Sequence, residues 1–367
     1  MMDKLKNRYL SLDVFRGMDV ALMIVVNSPG RGSTTYSPLL HAQWHGFTLT
    51  DLVFPTFLFV VGNAMSFSMK KYGAVGNGVF FGKVLKRAAI IFLLGFLMYW
   101  FPFFENGDLK PLANTRIFGV LQRIALCYLF AAIVIRFLST KGAIVFSAVA
   151  LVLYQLILYV FGDLTLTGNA VIKLDLWLIG ESHMYHGEGL AFDPEGLLST
   201  LPAIANVIAG YVAGSYLQKN GQNYKTLAKM MMSGAVLIFL ALWWDLEFPI
   251  NKKLWTSPFV LLTVGIDLFI LSLLVYILDM VKATRWTYFF EVFGKNTLFI
   301  YLLSELFVIS LSVIPYQGTS LYGWIAENLF IPWLGDYAGS LGFALWILFS
   351  CWLVGYIMDK RRIYIKV

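Results

Sequence analysis

Apolar runs of about twenty residues recur along the chain, separated by short polar stretches. Ten are legible, at about 10–28, 47–69, 88–104, 117–135, 143–161, 198–217, 230–247, 256–279, 288–313 and 338–358. Apolar residues do not alternate with polar ones over about ten residues, the barrel pattern. The runs predict helices, because in hydrocarbon a helix closes its backbone hydrogen bonds within itself. The expected fold is all-α: a polytopic membrane helical bundle of about ten transmembrane helices, forming a single transmembrane domain over 1–367.

Composition strengthens this reading. Of 367 residues, 59% are hydrophobic and 13% charged, against roughly half and about a quarter in a soluble domain. The longest polar stretch, 162–197, is too short for a soluble domain, and no internal repeat is evident. Cys127 and Cys351 lie inside apolar runs and read as small buried hydrophobes, so neither a disulfide framework nor a metal site is expected. The first apolar run carries Asp13, Arg16 and Asp19 and no small-residue cleavage site follows it, so no secretory signal peptide is expected.

Charge sets an orientation. The net charge is +7, but its spacing points to membrane topology rather than nucleic acid. With ten spans, 21 basic residues fall on one side, among them Lys4, Lys6, Arg8, Lys86, Arg87 and Lys366. Six fall on the other: Arg31, Lys110, Arg116, Lys173, Lys252 and Lys253. The positive-inside rule then puts both termini in the cytoplasm. The loop after the first run, and 162–197, face outward. The outer loops hold all four histidines, His41, His45, His183 and His186, and loop 162–197 adds Asp163, Asp175, Glu181, Glu188, Asp193 and Glu195. Loops clustered on one face commonly carry function.

Polar groups inside apolar runs are costly and mark function or a pairing partner. Asp13, Arg16 and Asp19 share one helix face; they fit a snorkelling cluster or the lining of an inner cavity mouth. Gln122 and Arg123 lie inside the fourth run, and so deep an arginine calls for an anion: a carboxylate such as Asp13, Asp19 or Asp267, a phosphate or a cofactor. Asp51, Asn63 and Glu305 are further buried polar candidates, although Asp51 could simply cap its helix. In "AFDPEGLLSTLPAI", Asp193 fits an N-cap, Pro194 the first helical position and Glu195 the positive helix end, so a capped helix start competes with substrate binding.

Seven pieces in order resemble one family: "RYLSLDVFRG", "MIVVNSPG", "LLHAQWHGFTLTDLVFPTFLFVVG", "RIFGVLQRIALCYLF", "FDPEGLLSTLPAI", "NKKLWTSPFVL" and "GKNTLFIYLLSE". Together they are similar to the lysosomal heparan-α-glucosaminide N-acetyltransferases and their bacterial homologues, over nearly the whole chain. Lysosomal members carry an extra luminal domain, and none is expected here. The family moves acetyl from cytosolic acetyl-CoA to a glucosamine amine across the membrane. Its functional histidine lies in a motif similar to H-A-x-W-[HN]-G, which matches His41. Asn27 resembles the family's asparagine at the end of the first span, with a longer intervening loop here. His45 stands where the lysosomal sequence has asparagine, and Ser304 where it has histidine.

The resemblance implies a membrane acetyltransferase of a bacterial cytoplasmic membrane, with His41 on the extracytoplasmic side. Acetyl transfer needs proton removal, oxyanion stabilisation and exclusion of water. Neutral imidazole suits the first task, making His41 the general base or a transient acetyl carrier, and Asn27 an oxyanion donor or a support for His41. Acetyl-CoA is the expected co-substrate, with Asp13, Arg16, Arg87, Gln122 and Arg123 as candidates for holding it, since arginine forks match phosphate; the positive-inside rule alone also accounts for Lys86 and Arg87. His45, Asp51, His183, His186, Asp193, Glu195 and Glu305 are the candidates for an amino-sugar or oligosaccharide acceptor. Membrane lipid is an expected partner, a homodimer is allowed and nucleic acid is not expected. A sugar or ion transporter is the alternative, but it should show broken helices and paired half-repeats. A non-catalytic scaffold gives no reason for embedding Arg123 and Asp19.

Overall fold

The computed structural model describes residues 9–73, 75–105 and 107–365. Lys4, Lys6, Arg8 and Lys366 of the charge reading lie outside them. The described chain is helical apart from two short hairpins, Phe104–Glu105 with Asp108–Leu109 and Pro315–Tyr316 with Thr319–Ser320. In chain order the long helices are α1 (Leu10–Asn27), α2 (Leu49–Tyr72), α3 (Asn77–Trp100), α4 (Val120–Phe137) and α5 (Thr140–Phe161). A short α6 (Ala170–Ile179) precedes α7 (Thr200–Asn220), α8 (Tyr224–Asp245) and α9 (Ser257–Leu274), which runs on as a π-helical turn to Met280. Then come α10 (Tyr288–Lys295), α11 (Thr297–Val313), the short α12 (Leu321–Ile325) and α13 (Ile331–Leu334), and α14 (Asp336–Lys360).

Each predicted apolar run falls on helix. By length and apolarity seven helices among the described residues can cross a membrane: α2, α4, α5, α7, α8, α9 with its extension, and α14. The count becomes eight if α10 and α11 form one span. Helices α1 and α3 occupy predicted runs but carry three charges each: Asp13, Arg16 and Asp19, and Lys83, Lys86 and Arg87. Helix α3 starts well before the expected 88, because charged turns continue a helix beyond its apolar part. The expected span 288–313 needs correction. It is two helices bent by 88° at Asn296, whose side chain bonds the Ile363 carbonyl and the Ile365 N–H instead of facing lipid. Helix α6 was not foreseen within 162–197; Asn169 caps its start by accepting from the Ile172 N–H, and Gly180, at φ 77°, ends it.

The chain groups into two compact units. The first comprises the described parts of Met1–His41, Thr48–Val53 and Leu273–Lys366. In it α1 packs along α10 and α14. A Cβ at Gly17 would overlap the Phe290 carbonyl, and one at Gly294 the Asp13 carbonyl, so the two glycines let α1 and α10 approach backbone to backbone.

The second unit holds Ala42–Phe47 and Phe54–Ser272. Helix α2 meets α7 in the same manner, with Gly62 against the Val207 carbonyl and Gly210 against the Phe59 carbonyl. At one end α6 folds onto a cluster of Tyr154, Leu158, Val171, Met184, Phe192, Phe248 and Leu254, with Trp44 and Trp244 against it. The Tyr154 hydroxyl donates to the Leu254 carbonyl, and Trp44 Nε1 donates to the Leu164 carbonyl at 2.8 Å. Cys127 and Cys351 are buried and unbridged.

Candidate functional site

In the first unit the polar loop after α1 is tied down at several points. The Gly30 N–H donates to the Ser340 carbonyl, Arg31 pairs with Glu327 at 3.2 Å and Asp336 at 3.4 Å, and the Tyr322 hydroxyl donates to the Pro29 carbonyl at 2.7 Å. The loop then returns to α2, where the Thr48 hydroxyl donates to the Leu40 carbonyl at 2.7 Å and the Thr50 hydroxyl to the Pro38 carbonyl at 3.2 Å. These bonds fix the backbone on either side of His41.

His41 Nδ1 lies 2.7 Å from Asp51 Oδ1. The other Asp51 oxygen accepts from the Thr48 N–H and the Thr48 hydroxyl, each at 3.0 Å, closing half of a capping box. The Asp51 side chain is 1% exposed and the His41 ring 48% exposed. A carboxylate only accepts, so the Nδ1–H donates to it and the Nε2 lone pair lies on the exposed ring. Asp51 was expected to bind acceptor or to cap α2. It caps, and it holds the histidine.

Asn27, exposed at the end of α1, donates from Nδ2 to Glu305 Oε1 at 3.0 Å. Glu305 was expected to bind acceptor and is the partner of Asn27 instead. Asp13 and Arg16 form an i,i+3 pair at 3.9 Å, and Arg16 also reaches the Gly294 carbonyl at 3.4 Å. They are only part-buried.

The other candidates belong to the second unit. Asp193 and Glu195 were expected to face an acceptor; both are committed to Arg116. Arg116 clasps Asp193 with two bonds, at 3.0 and 2.6 Å, and reaches Glu195 at 2.6 Å. Its guanidinium stacks on the rings of Tyr99 and Tyr185. Burial pushes the Asp193 carboxyl up from its ordinary value, against the pull of Arg116. Glu195 is pulled down, Arg116 and Arg123 outweighing its burial. Arg123, fully buried, donates to the Gly196 carbonyl at 3.1 Å and to Ser199, and lies over the Trp255 ring. Its direct partners are a carbonyl, a hydroxyl and a π-face, and the carboxylate acting on it is Glu195 rather than Asp13, Asp19 or Asp267, so it anchors the start of α7. Gln122, equally buried, leaves both amide atoms without partners, as Arg123 leaves Nε and Nη1. Arg87 lies over the Tyr128 ring.

The three remaining histidines have different settings. His183 Nδ1 lies 2.8 Å from the Thr115 carbonyl, pinning the ring to backbone. His186 is exposed. His45 Nδ1 faces Asn251 Nδ2 at 3.4 Å, and burial lowers its pKa against an opposing pull from Asp245. Sequence reasoning missed Arg116, Tyr99, Tyr185, Asn251 and the Lys253–Glu188 pair at 2.6 Å. One signal was available: the six acids of 162–197 share their face with only six cations, so Arg116 and Lys253 were among few counter-charges.

A family model described as "Heparan-alpha-glucosaminide N-acetyltransferase, catalytic" matches residues 8–243, more than half of the chain. The human heparan-alpha-glucosaminide N-acetyltransferase is 27% identical over 98% of this chain and 60% of its own length. The mouse protein of that name is 26% identical over 98% of this chain and 61% of its own. The chain thus spans about 60% of the length of these curated relatives. The matched residues include Asn27, His41, Asp51, Arg116, Arg123, Asp193 and Glu195, and on that match the chain belongs to the heparan-alpha-glucosaminide N-acetyltransferase catalytic family.

Proposed function

We propose that the chain is an integral-membrane acetyltransferase, moving acetyl from cytosolic acetyl-CoA to an amino sugar or glycan on the extracytoplasmic side, with His41 as general base. The observation that carries this reading is the His41–Asp51 pair, a half-exposed imidazole oriented by a buried carboxylate at 2.7 Å. Family membership supports the reaction class.

In this reading Asp51 fixes the tautomer and Nε2 takes the proton as the acceptor amine attacks the thioester carbonyl. The asparagine amide nitrogen carries two hydrogens; Asn27 gives one to Glu305 and keeps another for the developing oxyanion. The C–S bond then breaks, the electron pair leaves on the CoA sulfur, and the thiolate is protonated. Acetyl-CoA is a co-substrate here, entering from the inner face. Arg16, part-buried in the first unit, is the candidate for its phosphates. Both termini are assigned to the cytoplasm, and the whole chain acts as one acyltransferase domain.

The test is transfer in sealed inverted vesicles, with labelled acetyl-CoA on the cytoplasmic face and glucosamine inside. His41→Ala should lower transfer by about 10²–10⁴-fold, the usual worth of a general base, in protein that still folds in detergent. Full activity in that variant overturns the assignment. For sidedness, Ser33→Cys, on an exposed loop residue, should react with an impermeant maleimide added outside intact cells. The native cysteines are buried and give little background; labelling only from the cytoplasmic face would invert the topology.

A further inference from the structure

One cavity of the second unit serves none of the residues above. It measures about 840 Å³ and lies among α5, α7, α8 and α9, all helices able to cross a membrane. Its walls are apolar, with Leu151, Ile208, Val212, Val236 and Leu268 among them, and Lys229 is the one charged residue lining it. Such a volume lies within the range of small-molecule sites. Helices α8 and α9 touch alongside it, where Gly234 and Gly265 meet.

The charge at the lysine end is unbalanced. Lys225 and Lys229 are one turn apart in the first turns of α8, so they share a face. Lys219 sits in the last turn of α7. All three are exposed, and among the described residues none has a carboxylate partner. A helix N-terminus already carries partial positive charge and favours anions there, not lysines. The dipole at the start of α8 and its two lysines therefore have the same sign beside the mouth of an apolar slot, whereas Lys219 lies at the oppositely signed end of α7.

We propose that this slot is a binding site for one anionic membrane phospholipid, its acyl chain between α5, α7, α8 and α9 and its phosphate on Lys225 and Lys229. An apolar chain with an anionic head matches both halves of the site, and anionic headgroups are drawn to lysines near the bilayer surface. The bound lipid fills the space separating α8 from α5 and α7 and holds α8 in place. The site is independent of the proposed transfer chemistry.

Delipidated protein, returned to nanodiscs of phosphatidylcholine with or without phosphatidylglycerol, tests this by native mass spectrometry. Wild type should retain one phosphatidylglycerol at least tenfold in preference to phosphatidylcholine. The Lys225→Gln/Lys229→Gln double variant should lose the preference. Ala209→Trp, on the cavity wall, should lose the lipid altogether, and Val212→Phe is the second filling variant if the first does not fold. Equal retention of the two lipids by wild type overturns the proposal without any substitution. So do an undiminished preference in the double variant, full retention in a folded filling variant, or a polypeptide found in the slot.

Discussion

Asp51 and Asp193 are both buried carboxylates close to the start of a long helix, and each accepts from a basic side chain. Their partners separate them. Asp51 meets an imidazole that is 48% exposed, whereas Asp193 meets a guanidinium that is 16% exposed and boxed between two tyrosines. An imidazole exchanges its proton near neutral pH and keeps a second nitrogen for a substrate. A guanidinium does neither; it stays charged and spends its forked donors on geometry. The same acid thus orients a half-exposed imidazole in one unit, the base of the proposed reaction, and locks a buried guanidinium in the other. Both acids looked alike as polar residues beside apolar runs, and only the partner tells them apart.

The largest effect that would break this contrast is on activity. His41→Ala should cost about 10²–10⁴-fold in transfer but only about 1–3 kcal/mol of stability, because Asp51 loses the imidazole and keeps both Thr48 bonds. Arg116→Ala should do the reverse, destabilising the fold by about 3–5 kcal/mol because it strands the buried Asp193 and Glu195. A normal melting curve for Arg116→Ala would remove the lock. Next comes Asp51→Asn. Losing an orienting bond to a charged group is worth about 1.5–3 kcal/mol, or about 10–150-fold in rate; activity within twofold of wild type would show that His41 needs no such support.

A smaller effect concerns Asp175 on α6, whose carboxyl burial pushes up to about 7 although the Leu197 N–H pulls it down. An acid with a raised folded pKa holds its proton more tightly when folded. Its stabilisation is full below the unfolded value, near 4, and fades as pH rises through about 7. Asp175→Asn should therefore melt a few degrees above wild type at pH 8, and the gap should close or reverse at pH 5. A pH-independent difference would mean that the carboxyl is not protonated in the fold. Smallest of all, His186→Ala should change transfer less than twofold, since its exposed ring has no framework holding it.

What the sequence disclosed follows from the range of each signal. Apolar runs of span length are local, and each fell on helix. Charges at run edges blurred boundaries, as at α3, where Lys83, Lys86 and Arg87 hid about the first three turns. The break at Asn296 was missed although Gly294, Lys295, Asn296 and Thr297 interrupt the apolar run there; the carbonyl that holds the Asn296 side chain lies 67 positions away. The same holds for the candidate site. His41 and Asn27 were legible from a motif, and Asp51 from its place near an outer helix end. The joining of Arg116 to Asp193, 77 positions apart, was not, because pairing across a fold leaves no mark on either segment alone.

The bend at Asn296 has a practical bearing. Its side chain grips both the carbonyl of Ile363 and the N–H of Ile365, so the last stretch of described chain acts as a splint across the kink. Trimming the protein before Ile363 removes both ties at once and leaves the kink to the Thr297–Gly294 bond and the Lys295–Asp359 pair. A purification handle at that end therefore needs a spacer that leaves both ties intact.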